Sequence, residues 1–338
     1  MKQIWKDVGI SVVMGIILPA ALLAAVVALS GTKEGSTQET LPMVEHDLEM
    51  AATQLPIWTQ SPETTQPPPR QIDVLMQDGQ VESMVLNDYL TSVVLAEMPV
   101  SFETEALKAQ SVVARTYAIR AAEGAAKHAN AAVCTNASCC QGYMEVETFL
   151  SKGGKEKDVQ RIRELVSSTD TQVLTYEGKL IEATYFSCSG GTTEDAVAVW
   201  GTDVPYLQSV VSPGEEHATH YSDAVTFSSG EFVERLGMEL AGDPLNWFGE
   251  TVRTDGGGVD TMEIGKQNFS GTQVRQLLGL RSTAFTVHVE GDRITITTRG
   301  YGHRVGMSQY GADAMAATGS TYEQILTYYY QGTELAAR

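Results

Sequence analysis

The sequence predicts an α+β fold in which mixed helices and antiparallel hairpins build one globular part. Three observations lead there. Apolar runs flank Asp78-Gly79, Glu177-Gly178 and Gly291-Asp292, dipeptides suited to tight reversals between antiparallel strands. Helix-period stretches stand in groups between those hairpins, which disfavours a repeating strand-helix-strand sheet. The globular patterning starts only near Gln71, behind an apolar run and a polar tract.

Met1–Asp7 carries Lys2 and Lys6, and Val8–Leu29 has no charged residue. As a helix that run would be about 33 Å long, enough to cross a hydrocarbon core of about 30 Å. It exceeds the about 7–15 apolar residues of a signal peptide, so residues 1–30 read as a cytoplasmic tip and a single uncleaved transmembrane anchor. Small residues near Ala24–Ser30 keep cleavage as the alternative. Lysines on the N-terminal side alone put that end in the cytoplasm and the rest outside. Residues 31–70, polar and ending in Gln66-Pro67-Pro68-Pro69, lack the apolar surface to fold and read as a disordered tether. Residues 71–338 are the ectodomain, of one core or two.

Ile72–Met76 and Val81–Met84 form the first expected hairpin. Asn87 then suits the cap of a helix on which Leu90, Val93, Val94 and Glu97 share a face, and Pro99 stops that helix near Glu97. A carboxylate at a helix C-terminus among apolar neighbours has two reasons to hold its proton, desolvation and the negative end of the dipole, which is how glutamate becomes a general acid. Ser101 suits the cap of a second helix. Phe102, Ala106, Ala109, Val113 and Tyr117 form its buried stripe, and Lys108, Ser111 and Arg115 share another face.

His128-x5-Cys134-x4-Cys139-Cys140 gathers four soft or borderline ligands into a short stretch, as a tetrahedral zinc site requires. The spacing is not that of a zinc finger, and disulfides are the alternative outside a membrane, although adjacent cysteines pair only with strain. Further hairpins are expected at Val173–Tyr176 with Leu180–Phe186, and at Phe285–Glu290 with Arg293–Thr298. Helices are expected at Asp158–Ser167, at Ser229–Leu240 with Ser229 as cap, and at Thr321–Tyr330. Ser187 and Ser189, followed by Gly190-Gly191, would offer hydroxyls on an open loop. Cys188 reads as a small packed thiol. Glu215 and Glu216 beside His217-x-x-His220, and Glu194-Asp195, read as exposed loop residues without a role.

Composition excludes some functions. A formal net charge of −19 argues against nucleic acid, which needs a basic patch, and against a tightly held anionic wall polymer; a neutral glycan fits better. Gly300, Gly302 and Gly306 have neither dinucleotide-fingerprint nor P-loop spacing.

Ala96-Glu97-Met98-Pro99, followed by F-x-x-EALKAQSVVARTYA, resembles the hallmark segment of the SpoIID/LytB family. Tyr185–Thr193 with Val199-Trp200-Gly201 and Pro205-Tyr206-Leu207 is similar to the family's serine- and glycine-rich segment. Gly300–Ala312 is similar to its second signature, with Arg304 where glycine is usual. The resemblance implies a peptidoglycan lytic transglycosylase of sporulation engulfment with Glu97 as its catalytic acid, acting on stripped glycan strands. Lys108, Ser111, Arg115, Tyr117, Ser187, Ser189, Tyr301 and His303 are then the candidates for positioning the glycan. The resemblance also implies a zinc site, present in some members, at His128, Cys134, Cys139 and Cys140; four protein ligands would make it structural. Partners implied are an amidase like SpoIIP and a membrane protein like SpoIIM. The competing readings are a wall-binding scaffold with a structural zinc and a zinc-dependent wall hydrolase.

Overall fold

The structure is a computed structural model that describes residues 69–338. The expected anchor over 1–30, and all but the last two residues of the expected tether over 31–70, lie outside the described residues. Among the described residues no helix is long and apolar enough to cross a membrane.

Strands β1 (Gln71–Leu75) and β2 (Val81–Val85) pair antiparallel as expected, with Ile72 opposite Met84. Asp78 caps the reversal by accepting from the Gln80 amide at 2.9 Å. β2 runs directly into helix α1 (Leu86–Glu97), so its N-cap is Val85, still in extended geometry, and not Asn87. Asn87 has moved into the first turn, where its amide meets Asp170 at 3.4 Å. Leu90, Val93 and Val94 are fully buried. Met98 is extended, so the helix ends at Glu97, as Pro99 dictates.

Helix α2 (Thr104–Arg120) begins after Glu103, and Ser101 is not its cap. A turn closed by the Phe102 amide on the Pro99 carbonyl takes up Ser101, and Asp313 accepts from the Glu103 amide at 2.7 Å. A π-type turn at Ala121–Ala125 ends α2. Strand β3 (Val133–Cys134) then pairs parallel with β1 and fixes the cysteine stretch to that sheet. Helices α3 (Val146–Ser151) and α4 (Glu156–Ser168) follow, α4 burying Val159, Ile162 and Val166.

Strands β4 (Gln172–Tyr176) and β5 (Lys179–Leu180) form the second hairpin, which is shorter than its sequence pattern. The apolar run continues, but Tyr185–Phe186 is a separate strand, β6, in another sheet. After helix α5 (Ala196–Trp200), strand β7 (Ser222–Ser228) leads into helix α6 (Ser229–Leu236). Its cap is Ser228, not Ser229, in a reciprocal capping box with Glu231, and Gly237 at φ +66° ends it before Leu240. Strands β8 (Phe248–Arg253), β9 (Val259–Ile264) and β10 (Gln267–Ser270) form one sheet, and helix α7 (Gly271–Leu278) covers it. Strands β11 (Phe285–Glu290) and β12 (Arg293–Arg299) form the third hairpin, with β7 on the other edge of β12. The chain closes with β13 (Met307–Ser308), α8 (Gln309–Ala317), α9 (Tyr322–Tyr329) and β14 (Glu334–Ala337).

Two hydrophobic cores result. One packs α1, α2 and α4 with β4, α8 and α9; the other, around Phe232, Ile264, Phe285 and Ile294, belongs to β7–β12 with α6 and α7. A buried ion pair joins loops from both. Arg304 Nη1 lies 3.0 Å from Glu194 Oε1, and both side chains are about 98–99% shielded from solvent, at 2% and 1% exposure. Glu194 also accepts from the Gly258 amide, while Arg304 donates to the carbonyls of Ser189, Thr192 and Gly256. Arg304 has φ +67°, a left-handed backbone suited to glycine. The expectation that Glu194 and Glu215 are idle loop residues fails here. Both are buried, and Glu215 Oε2 accepts from the amides of Ser189 and Gly190.

Candidate active site

The parallel pairing of β6 with β13 sets Tyr185 beside Met307 and Phe186 beside Ser308. The C-terminal end of α1 meets this short sheet across a cavity of about 810 Å³. Glu97, half-buried, is one of the carboxylates that line it. Its Oε1 accepts from the Gly142 amide and from the Tyr185 hydroxyl at 3.0 Å, and Gln309 Nε2 stands 3.5 Å from Oε2. Burial, followed by the charge of Glu97, pushes the Tyr185 phenol well above its ordinary value, so it remains a donor. Gln141 fixes this frame, donating to Tyr89 at 3.1 Å while its carbonyl oxygen lies 3.4 Å from the Tyr185 hydroxyl.

Of the other residues singled out in the sequence, Tyr117, Ser187, Tyr301 and His303 line the same cavity. The His303 ring packs between Phe186 and Trp200, with centroids 5.7 and 5.5 Å away. Burial draws its pKa down to about 4, so it is neutral near pH 7 and offers the cavity ring surface without charge. The remaining four candidates lie elsewhere. Lys108 pairs with Glu105 at 2.8 Å, and Ser111 donates to the Leu107 carbonyl inside α2. Arg115 is buried and donates to the carbonyls of Thr169 and Val166, tying α2 to the end of α4. Ser189 is buried on Glu215. The shared face of Lys108, Ser111 and Arg115 is real, but it turns toward α4 and α9, whereas Glu97 reaches the cavity from a different helix.

Gly142 and Gln141 carried no signal beyond following the cysteines. Tyr185 and Gln309 stood inside the two quoted segments without a feature to separate them from their neighbours. Trp200, 44% exposed, also lines the cavity.

The cysteine stretch forms part of the cavity wall through Cys139 and Cys140. One ligand atom each from His128, Cys134, Cys139 and Cys140 comes within 4.8 Å of every other. His128 Nε2 lies 3.6 Å from Cys139 Sγ and 3.5 Å from Cys140 Sγ, and the two sulfurs are 3.9 Å apart. A tetrahedron with Zn–S near 2.3 Å has edges of about 3.8 Å, so this donor set fits zinc. Burial would raise the Cys140 thiol, but hydrogen bonds from Cys134, His128 and Tyr117 outweigh it and bring it down to about 7, toward the thiolate a metal binds. All four cysteines are free thiols.

Residues 77–176 match the family model described as SpoIID, stage II sporulation protein. Stage II sporulation protein D of Bacillus amyloliquefaciens is 40% identical over 261 residues, 76% of this chain and 75% of that one. The protein of the same name from Bacillus subtilis (strain 168) is 39% identical over 280 residues, 81% of each chain. An amidase enhancer of the same Bacillus subtilis strain is 30% identical over 302 residues, covering 73% of this chain and 40% of that protein.

Proposed function

The chain belongs to the SpoIID family of stage II sporulation proteins, and from that premise we propose that it is a lytic transglycosylase that cuts peptidoglycan glycan strands with Glu97 as its one acid–base group. The observation that carries this reading is the arrangement of carboxylates around the cavity. Most glycosidases that hydrolyse use two carboxylates, and the cavity lining contains only Glu97 and Glu182. Glu182 is half-exposed and paired with Arg120 at 3.5 Å. Glu97 is therefore left to do the work of both.

With Oε1 held by Gly142 and Tyr185, the proton of the acid belongs on Oε2. That proton goes to the oxygen linking N-acetylmuramic acid to N-acetylglucosamine as the C1–O bond breaks. The carboxylate, steadied by its two donors, then accepts the proton of the muramoyl C6 hydroxyl while that oxygen bonds to C1. The acid is regenerated, and the product ends in 1,6-anhydromuramic acid. An internal nucleophile has a high effective concentration, so neither water nor a second carboxylate is needed. Digestion of peptide-free glycan followed by mass analysis tests the reading: anhydro ends support it, and reducing muramic acid ends make the enzyme a hydrolase.

Gly142 offers a sharper check on geometry. A β-carbon there would stand 2.7 Å from Glu97 Oε1 and 3.4 Å from the Ala96 β-carbon, so Gly142→Ala must turn the carboxylate off its donors. A misplacement of that size is expected to lower kcat about 10²-fold with little change in melting temperature. Wild-type kcat in that variant would mean that the amide of Gly142 has no part in holding the acid.

Zinc at His128, Cys134, Cys139 and Cys140 belongs to the same proposal, as a structural ion outside the proton path. It would fix the loop that delivers Gln141 and Gly142. Purified protein is expected to contain about one zinc, and Cys140→Ser to lose the metal and melt at lower temperature, because ligand sites of this kind are absent from the unfolded chain. A metal-free wild type with Cys134 in a disulfide would overturn this part.

The anchor read over residues 1–30 would hold the enzyme at the cell membrane with its catalytic part outside, facing the wall of a spore former. An amidase like SpoIIP and a membrane protein like SpoIIM are the partners this reading expects. The relative named amidase enhancer supports the first of them. No nucleic acid is involved.

A further inference from the structure

We propose that Trp200 and Tyr301 are a stacking platform for pyranose rings, so that the cavity grips its glycan by the apolar faces of the sugars and not by hydrogen bonds alone. The inference rests on the glycan-cleaving reading above and names two side chains that hold the substrate. Among the described residues three aromatic side chains are exposed, Trp200 at 44%, Tyr301 at 39% and Tyr328 at 38%. An exposed ring standing alone needs no explanation. Here two of the three line one cavity, the same one that Glu97 lines.

Both rings are braced. The Trp200 ring leans on the imidazole of His303, with centroids 5.5 Å apart, and His303 leans in turn on Phe186 at 5.7 Å. That imidazole is neutral near pH 7, so the three rings form a strip without charge. The guanidinium of Arg281 lies over Tyr301, 5.0 Å from the ring centre, and the His220 ring stands nearly at right angles to it, with centroids 5.2 Å apart. Asp223 holds Arg281 in turn. One face of Tyr301 is thereby covered and the other is left for a ligand. The backbone fixes this ring as well. Tyr301 and Cys188 exchange both of their backbone hydrogen bonds, and a β-carbon on Gly300 would stand 2.6 Å from the Ser189 carbonyl oxygen, one on Gly302 2.8 Å from the Phe186 β-carbon.

A pyranose whose substituents are all equatorial presents axial C–H bonds on its faces. Such a face is apolar, and its hydrogens carry a slight positive charge that suits the electron-rich face of an aromatic ring. Aminosugars of the gluco series have this shape. Rigid rings also lose little freedom when a ligand covers them, so the contact adds affinity at small entropic cost.

The test uses the full-length protein carrying Glu97→Gln, with soluble peptide-free glycan as the probe. Emission of Trp200 is isolated by subtracting the spectrum of the same protein with Trp200→Phe added. Glycan should shift that emission to the blue and shield it from acrylamide, because the ring passes from water to cover. Trp200→Ala should raise Kd about tenfold, the factor expected when one large exposed ring loses its cover, and Trp200→Phe only about twofold. Tyr301→Ala should raise Kd about fivefold, its exposed surface being smaller. In the protein with Glu97 intact, Trp200→Ala should raise KM by about the same factor with kcat little changed, since stacking is the same before and during bond breaking. Trp200 emission that glycan leaves unchanged, or a Kd for Trp200→Ala within about twofold of its parent, would overturn the proposal; a parent that binds no glycan overturns it too. If the protein with Glu97 intact releases no anhydro ends while glycan still covers Trp200, the cleavage reading fails alone and the stacking platform stands.

Discussion

Glu97→Gln is expected to abolish release of anhydromuramoyl ends while leaving the fold and glycan binding nearly unchanged. Glutamine keeps the shape of the side chain and can still meet the Tyr185 hydroxyl through its carbonyl oxygen, but it cannot give or take a proton. General acid–base assistance is worth about 10²–10⁴-fold, and here one group serves both departure and attack, so the loss should reach the upper end of that range or beyond. A Glu97 that merely finishes helix α1 would behave otherwise. Its replacement would shift stability by about 1 kcal/mol or less and leave turnover near wild type. Single-turnover assays with mass analysis, run beside a thermal melt, separate the two outcomes. Activity within a few-fold of wild type would remove Glu97 from the chemistry.

The second large effect concerns stability, at Arg304. Burial draws its guanidinium below the ordinary value, and Glu194 opposes that shift. Arg304→Gly would relieve a left-handed backbone that costs a side-chain-bearing residue about 1–2 kcal/mol. It would also leave Glu194 charged and buried without its partner, which typically costs about 3–5 kcal/mol. The second term is larger, so the variant should lose about 1–4 kcal/mol and melt several degrees lower, although glycine is the better residue for that backbone. Replacing both partners, as in Glu194→Leu with Arg304→Met, should restore much of the loss, because no unpaired charge remains. A melting temperature for Arg304→Gly equal to or above wild type would show that the pair contributes nothing.

The hairpins at Asp78-Gly79 and Gly291-Asp292 were legible because turn chemistry and strand alternation are local. The end of α1 at Glu97 was legible for the same reason, through Pro99. Caps were less so. Asn87 and Ser101 have the right chemistry for capping, but the pairing of β2 and the turn after Pro99 decided where the helices start, and those are tertiary facts. The hidden parts of the site are those whose role depends on distant partners. Gly142 matters because Glu97 stands above it, and Tyr185 because β6 pairs with a strand more than a hundred residues later. Lys108, Ser111 and Arg115 erred in the opposite sense. A shared helical face is a local fact, but its orientation toward α4 and not toward the cavity is set by how two helices cross. Glu194 and Glu215 read as solvated loop charges, as most acidic residues are, until Arg304 and the amides of Ser189 and Gly190 supply their partners.

The hydrogen bond between Gln309 and Glu97 spans 212 positions of chain. Strand β13, immediately before Gln309, supplies the pairing that holds Tyr185. A site assembled this way has a timing built into it. While the chain is being made, Glu97 and the cysteine stretch emerge long before the segment that completes their surroundings, and contacts this far apart in sequence form slowly. A nascent or C-terminally clipped molecule therefore carries the acid without the frame that aims it. On the proposed reading, cutting would begin only after synthesis has finished, and proteolytic loss of the last thirty or so residues would silence it without touching Glu97.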